Sequence, residues 1–181
     1  MVRWIAGVVA AVLIAAAAFV GFGYLRGKPV THLRPGQTIP DIQLAAVEGD
    51  GGRLRDNLGA ATLVVFVDTR WPETKRYVEV IERLYRKYQR RGLRVIAICL
   101  DESKDVARDF FRANGVTFTV FHDPGGRATQ AGWGTPRGPE SYLLDASGRI
   151  VQTHVDPVNW MRDDRRSPVE ALLPSPAPGA W

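Results

Sequence analysis

Short apolar runs alternate with amphipathic segments through the middle of the chain, between about residues 38 and 165. Residues 61–67 (ATLVVFV) are almost entirely apolar, which is typical of a strand covered on both faces. Residues 72–91 place Tyr77, Ile81 and Leu84 on one helical face, and residues 93–100 (LRVIAICL) form the next apolar run. Because the connections are short, the pattern predicts a parallel, right-handed strand–helix–strand unit.

The second half of this region continues the alternation with shorter segments. Residues 103–114 predict a helix whose inward face carries Val106, Phe110 and Ala113. A short strand is predicted over 117–121, and the segments on either side of the turn at 146–148 predict a hairpin. The chain is therefore predicted to have an α/β fold, with a central sheet flanked by helices.

The N-terminal segment has the length and polarity of a membrane-spanning helix. The 22 residues between Arg3 and Arg26 carry no charge. At 1.5 Å per residue they reach about 33 Å, enough to cross a hydrocarbon core of about 30 Å. Residues 15–18 (AAAA) leave a cleaved signal peptide as the alternative, but the apolar run is longer than the usual signal core. We predict an uncleaved anchor over residues 1–25 that holds the protein on the membrane.

The predicted organisation after the anchor has three parts. Residues 26–37 form a polar linker, residues 38–165 a single domain, and residues 166–181 a flexible tail rich in proline and alanine. Basic residues on both sides of the apolar run leave its orientation undetermined by the positive-inside rule.

Composition excludes several classes of function. The chain has 181 residues, 45% of them apolar, which excludes a disordered or collagen-like chain. Its net charge of +5 does not by itself indicate a nucleic-acid partner, and none is predicted. Cys99 is the single cysteine, so an intrachain disulfide, a CxxC pair and a multi-cysteine zinc site are all excluded.

Several phrases of the sequence resemble one family. They are residues 35–44 (PGQTIPDIQL), 65–75 (VFVDTRWPETK), 95–103 (VIAICLDES) and 138–150 (GPESYLLDASGRI). Over roughly residues 33–156 the chain resembles the membrane-anchored thioredoxin-like proteins of the TlpA/ResA type, with the redoxin and alkyl-hydroperoxide-reductase (AhpC/TSA) branch as a near relative. The resemblance implies a thioredoxin-like fold with a mixed sheet, and a domain displayed on the outer, periplasmic side of the cytoplasmic membrane.

The motif that carries the chemistry of this family is altered. Family members read W-C-x-x-C where this chain has residues 70–74 (RWPET), so Trp71 and Thr74 take the places of the two cysteines. Dithiol exchange needs a thiolate at a helix N-terminus and a second thiol to resolve the mixed disulfide. Neither an indole nor a hydroxyl supplies this chemistry, whereas Pro72 and Glu73 still suit a helix start. Whether the protein is an enzyme is left open.

The resemblance also points to a groove beside this turn. Pro139 falls where the family has its cis-proline, and Gly138 precedes it. Trp133 is a further aromatic candidate for the groove. The predicted binding groove consists of Trp71, Pro72, Glu73, Thr74, Gly138 and Pro139.

The remaining candidate residues have simpler interpretations. Cys99 ends a predicted central strand, and is either a reactive thiol or, more simply, a small buried side chain. Three histidines (32, 122 and 154) are scattered, so neither a metal nor another cofactor is predicted. Four acids (68, 101, 102 and 140) can gather at the carboxyl edge of the sheet, where strand ends and helix caps explain them. Seven basic residues between 75 and 91 favour a solvated helix face, with anionic lipid headgroups as the alternative contact.

Two functions of different classes follow. The first is a membrane-anchored thioredoxin-like module without dithiol activity that binds a protein or peptide through the altered groove. The alternative is a thiol-disulfide oxidoreductase or peroxide-reducing redoxin that acts through Cys99 alone. A domain that only holds a membrane complex together is not separable from the first by sequence.

Overall fold

The computed structural model describes residues 32–134 and 139–175, which lie in one compact unit, Thr31–Trp181. The predicted anchor (residues 1–25), the first part of the linker (26–31) and the last six residues lie outside the described part of the chain. No helix among the described residues is long and apolar enough to span a membrane.

The described residues of this unit form seven strands and four α-helices. The strands are β1 (Gln43–Ala46), β2 (Gly52–Arg53), β3 (Ala61–Val67), β4 (Leu93–Cys99), β5 (Thr119–His122), β6 (Glu140–Asp145) and β7 (Ile150–His154). The α-helices are α1 (Thr74–Tyr88), α2 (Lys104–Ala113), α3 (Gln130–Trp133) and α4 (Asp163–Leu172). Short 3₁₀ turns cover Arg55–Asn57, Gln89–Arg91 and Pro124–Gly126.

The strands form one mixed sheet in the order β2-β1-β5-β4-β3-β6-β7. β3, β4 and β5 run parallel to one another, which confirms the predicted strand–helix–strand unit. β6 and β7 form the predicted antiparallel hairpin next to β3. Gly92 ends the 3₁₀ turn after α1 with φ of 96°, a conformation that glycine adopts without strain, and the chain enters β4 directly.

Apolar layers cover both faces of the sheet. Leu63, Val65 and Val67 of β3 point to the layer that contains α1, α2 and α4. Val64 and Phe66 point to the other layer, with Ile39, Leu54 and Trp133. All seven side chains of β3 are buried, as its continuous apolar sequence predicts for a parallel central strand.

Helix positions differ from the prediction in two respects. α1 begins at Thr74, so Pro72 precedes the helix and does not occupy its first position. α2 buries Ala107 and Phe111, whereas Val106 of the predicted inward face is 52% exposed. The Ser103 hydroxyl accepts from the Val106 backbone N–H and caps the start of α2. The helix packs through Ala107 and Phe111, which leaves Val106 on its solvent side.

The predicted boundaries of the domain are too narrow. At the linker end, the Gly36 N–H donates to the Ile150 carbonyl at 2.7 Å, and the Ile150 N–H donates to the Gln37 carbonyl at 2.8 Å. The prediction that the chain is flexible from residue 166 is wrong for α4, in which Val169 is fully buried. Burial of Val169 and of nearby Trp160 stabilises this helix although Pro168 lies inside it.

Candidate functional site

The turn between β3 and α1 is closed by its own backbone and by Thr74. The Trp71 N–H donates to the Asp68 carbonyl, and the Thr74 N–H to the Trp71 carbonyl, both at 3.1 Å. The Thr74 hydroxyl donates to the same Asp68 carbonyl at 2.7 Å, and Thr74 is 1% exposed. Thr74 therefore holds the turn in place and does not line an accessible surface, unlike its predicted role in the groove.

The outer side of this turn is open to solvent. Pro72 and Glu73 are exposed, and Trp71 is partly buried against the apolar layer that contains Trp133. Trp133 itself is 1% exposed and stacks on Tyr142 with ring centroids 5.4 Å apart. Trp133 is a core residue, so the prediction that it lines the groove is wrong.

Asp68 and Arg70 form an ion pair at the end of β3. The Arg70 Nε and backbone N–H donate to Asp68 Oδ1 at 2.8 and 2.9 Å, and Nη2 donates to Oδ2. These hydrogen bonds to Arg70 lower the pKa of the Asp68 carboxyl, against the opposing effect of burial. Asp68 is therefore ionised at neutral pH and is a structural anion of the turn.

Cys99 lies at the end of β4, where its Cα is paired with that of Val67 of β3. Its side chain is fully buried, and its Sγ donates to Asp101 Oδ2 at 2.9 Å. Burial raises the pKa of the Cys99 thiol far above its ordinary value, and the hydrogen bond to the Asp101 carboxylate raises it further. A nucleophilic cysteine needs the opposite environment, one that is accessible and electropositive.

Asp101 joins the Cys99 strand to the altered turn. Its carboxylate accepts from the Thr69 hydroxyl at 2.7 Å and from the Thr69 N–H at 3.2 Å. Its backbone carbonyl lies 2.8 Å from His122 Nε2. The ends of three neighbouring strands, β3, β4 and β5, are thereby linked through Asp101.

Pro139 and Glu140 border the turn from the other side, because Glu140 begins β6 and is in register with Phe66 of β3. Glu140 is 2% exposed, and its Oε1 lies 2.8 Å from His32 Nδ1. Its Oε2 has no hydrogen-bond partner among the described residues. Burial raises the pKa of the Glu140 carboxyl, while the charge of His32 opposes that rise. Gly138 of the predicted groove lies outside the described residues.

The pairing of His32 with Glu140 is a feature of the site that sequence reasoning missed. The two residues are far apart in the chain, and His32 belongs to a segment with the composition of a linker. A polar linker gives no sign that it folds back on the domain, so no local pattern identifies this pair.

The histidines and acids do not form a metal site within the described ranges. The structure places His32 beside Glu140, His122 beside Asp101 and His154 against Trp160. Residues 32–134 and 139–175 contain no group of three His, Cys, Asp or Glu side chains arranged to hold a metal ion.

Known proteins match most of this chain. Residues 35–153 match the model of the AhpC/TSA family. The thiol-disulfide oxidoreductase ResA of Bacillus cereus is 25% identical over 143 residues, which cover 78% of this chain and 82% of ResA. ResA of Halalkalibacterium halodurans is 27% identical over 121 residues, or 67% of this chain and 68% of that protein.

Solved structures share the fold. A putative thiol:disulfide interchange protein DsbE from Chlorobium tepidum superposes with a TM-score of 0.65 at 25% identity, covering 77% of this chain and 95% of that one. The thioredoxin domain of a thiol-disulfide oxidoreductase from Bacteroides vulgatus superposes with a TM-score of 0.68 at 17% identity, covering 78% of this chain and 99% of that one. The predicted thioredoxin-like α/β fold and the predicted family resemblance are confirmed.

Proposed function

This chain is a member of the AhpC/TSA family, and from that premise we propose that it is a thioredoxin-like module that binds a protein or peptide without thiol chemistry. The observation that carries the proposal is the state of the altered turn. Trp71 and Thr74 occupy the positions where proteins of the TlpA/ResA type have cysteines. The turn is nevertheless closed by three internal hydrogen bonds.

The proposed binding surface consists of Trp71, Pro72, Glu73 and Pro139. Trp71 offers a partly exposed aromatic face at the end of the sheet, and Pro72 and Glu73 are exposed beside it. Aromatic side chains supply much of the binding energy in protein interfaces because they bury a large area with few rotatable bonds. Since Thr74 and Asp68 are bonded within the turn, this surface is already ordered before a partner binds.

The proposal includes a location. The 22 uncharged residues before Arg26 would anchor the chain in the cytoplasmic membrane, and the family resemblance supports a domain on its outer side. A partner would therefore be a membrane or exported protein.

Thiol-disulfide exchange or peroxide reduction through Cys99 is the second candidate function, because the ResA relatives are thiol-disulfide oxidoreductases. The buried position of Cys99 and its raised pKa argue against it. A cysteine-dependent activity requires a thiolate that can reach its substrate.

A site-specific crosslinking experiment separates these functions. A photo-crosslinking amino acid replaces Glu73 in the full chain, expressed in membranes, and a second variant carries it in place of the exposed Asp109 on α2 as the control. We expect a discrete adduct from position 73 alone, a marked loss of that adduct in Trp71→Ala, and no change in Cys99→Ala.

Three results would count against the proposed binding function. Equal adducts from positions 73 and 109 would mean that the surface has no selectivity. An adduct that persists unchanged in Trp71→Ala would remove Trp71 from the binding surface. Loss of the adduct in Cys99→Ala, at unchanged stability, would favour the thiol-dependent function.

A further inference from the structure

A pocket lies between the first half of α1 and the segment that follows β7, and it reaches the altered turn at Glu73. Its volume is about 270 Å³, and Tyr77, Val80 and Val158 form its apolar lining. Tyr77 and Val80 are buried in the core, so this lining is fixed by the packing of α1 on the sheet. Pro157 and Asn159 complete the wall opposite the helix.

Two arginines without an ion-pair partner among the described residues line this pocket. Arg76 and Arg83 both line it, and both are exposed. Neither makes a salt bridge or a side-chain hydrogen bond within residues 32–134 and 139–175, whereas Arg86 on the same helix pairs with Glu82 at 2.6 Å. Seven residues apart, Arg76 and Arg83 are two turns from each other on one face of α1, a separation of about 10 Å.

The pocket also has one acidic lining residue, which lies at one end. Glu73, a residue of the altered turn, lines the pocket just before α1 begins. It pairs with neither arginine in the described part of the chain. An anionic ligand is therefore attracted to the middle of the pocket and repelled from the end nearest Trp71.

At about 270 Å³ the pocket lies just below the range of about 300–1,000 Å³ that is usual for whole small molecules. It has room for an anchoring side chain of a larger partner. Arginine binds carboxylates with two parallel hydrogen bonds, which makes a pair of free arginines suited to acidic side chains.

We propose that this pocket binds an acidic peptide segment of a protein partner, with one apolar side chain in the pocket and carboxylates paired with Arg76 and Arg83. This site goes beyond the proposed function: it shares Glu73 with the proposed binding surface but needs no contact with Trp71. A membrane surface is the less favoured ligand. A flat array of headgroups would engage the exposed cations Lys75, Lys87 and Arg90 equally, and would leave a concave apolar pocket unfilled.

The test uses the full chain in a neutral detergent and a labelled, end-blocked peptide with a central leucine between pairs of glutamates. Fluorescence anisotropy at low salt measures its affinity, with peptide raised to millimolar concentration. Two control peptides replace the glutamates with glutamines or the leucine with alanine. We expect the acidic leucine peptide to bind, both controls to bind more weakly, and added salt to weaken binding.

Matched charge reversals locate the site. Arg76→Glu with Arg83→Glu reverses the two pocket cations, and Lys75→Glu with Arg90→Glu makes the same change in net charge on exposed residues outside the pocket. We expect the first pair to lower the affinity by about tenfold or more and the second by about twofold at most. Circular dichroism of both pairs checks that the fold is retained.

Four results of these experiments would overturn the proposed acidic-peptide site. An equal loss in both pairs would mean unspecific attraction to a basic helix and would overturn the proposal, as would no binding at millimolar peptide. A loss in Trp71→Ala but not in the pocket pair would also overturn it and leave the proposed function intact. Binding of the chain without its membrane segment to vesicles containing anionic lipid, with no peptide binding, would favour the membrane contact instead.

Discussion

Replacing Val169 by alanine tests whether α4 is part of the core of the domain. Val169 is fully buried among the side chains that cover one face of the sheet. The change removes two buried methyl groups, each worth about 0.8 kcal/mol, and leaves a cavity that adds to the loss. Alanine recovers about 0.5 kcal/mol through its higher helix propensity. The expected loss of unfolding free energy is therefore about 2 kcal/mol.

Urea unfolding of the chain from residue 31 onward, followed by circular dichroism, measures this loss. For a domain of this size it corresponds to a fall in melting temperature of about 4–8 °C. The matched control is Val155→Ala, because Val155 is 60% exposed and its truncation should change the unfolding free energy by less than about 0.5 kcal/mol. Equal effects of the two substitutions would refute the reasoning and return α4 to the flexible tail that the sequence suggests.

Two further predictions concern the site itself. Trp71→Cys together with Thr74→Cys should form an intramolecular disulfide, because the 3.1 Å bond from the Thr74 N–H to the Trp71 carbonyl closes a turn whose ends lie within about 7 Å. Mass spectrometry after thiol blocking detects it, and purely intermolecular disulfides would contradict the assignment of these two positions. Glu140→Gln should stabilise the protein at neutral pH, because burial raises the pKa of Glu140 above its ordinary value of 4.5. Because the pKa of Glu140 is raised in the folded protein, the native protein loses stability as pH rises and this carboxyl ionises, whereas the glutamine variant does not. The two proteins should therefore be equally stable in acid. A stability difference that does not change with pH would contradict this prediction.

The order of elements in the domain was predictable because each one has its own local signal. The continuous apolar run at residues 61–67 indicates a buried central strand, and Gly92 marks where the helical segment must end. The parallel pairing of β3 and β4 follows from the short connections between them. The family resemblance located the altered turn, and its two replaced cysteine positions are visible in the sequence itself.

The features that sequence reasoning missed depend on contacts between distant parts of the chain. The tail contains Pro168, which argues against a helix locally, but burial of Val169 stabilises the helix in the folded domain. In the sequence, nothing near Trp133 shows that it is buried. In the structure it packs against Phe66 and Tyr142. Thr74 looks like a groove residue, and only the position of the Asp68 carbonyl shows that its hydroxyl is used inside the turn.

The proposed function requires no accessible thiol, and the alkylation rate of Cys99 tests this requirement most directly. The rate is measured across a range of pH in the folded protein and compared with the denatured chain, whose thiol should titrate near its ordinary pKa of about 8.5. Because Cys99 is fully buried and its pKa is raised by burial and by Asp101, we predict reaction only after unfolding, at every pH where the fold persists. Rapid alkylation of the folded protein at neutral pH would contradict the account and make Cys99 the centre of a one-cysteine redox enzyme.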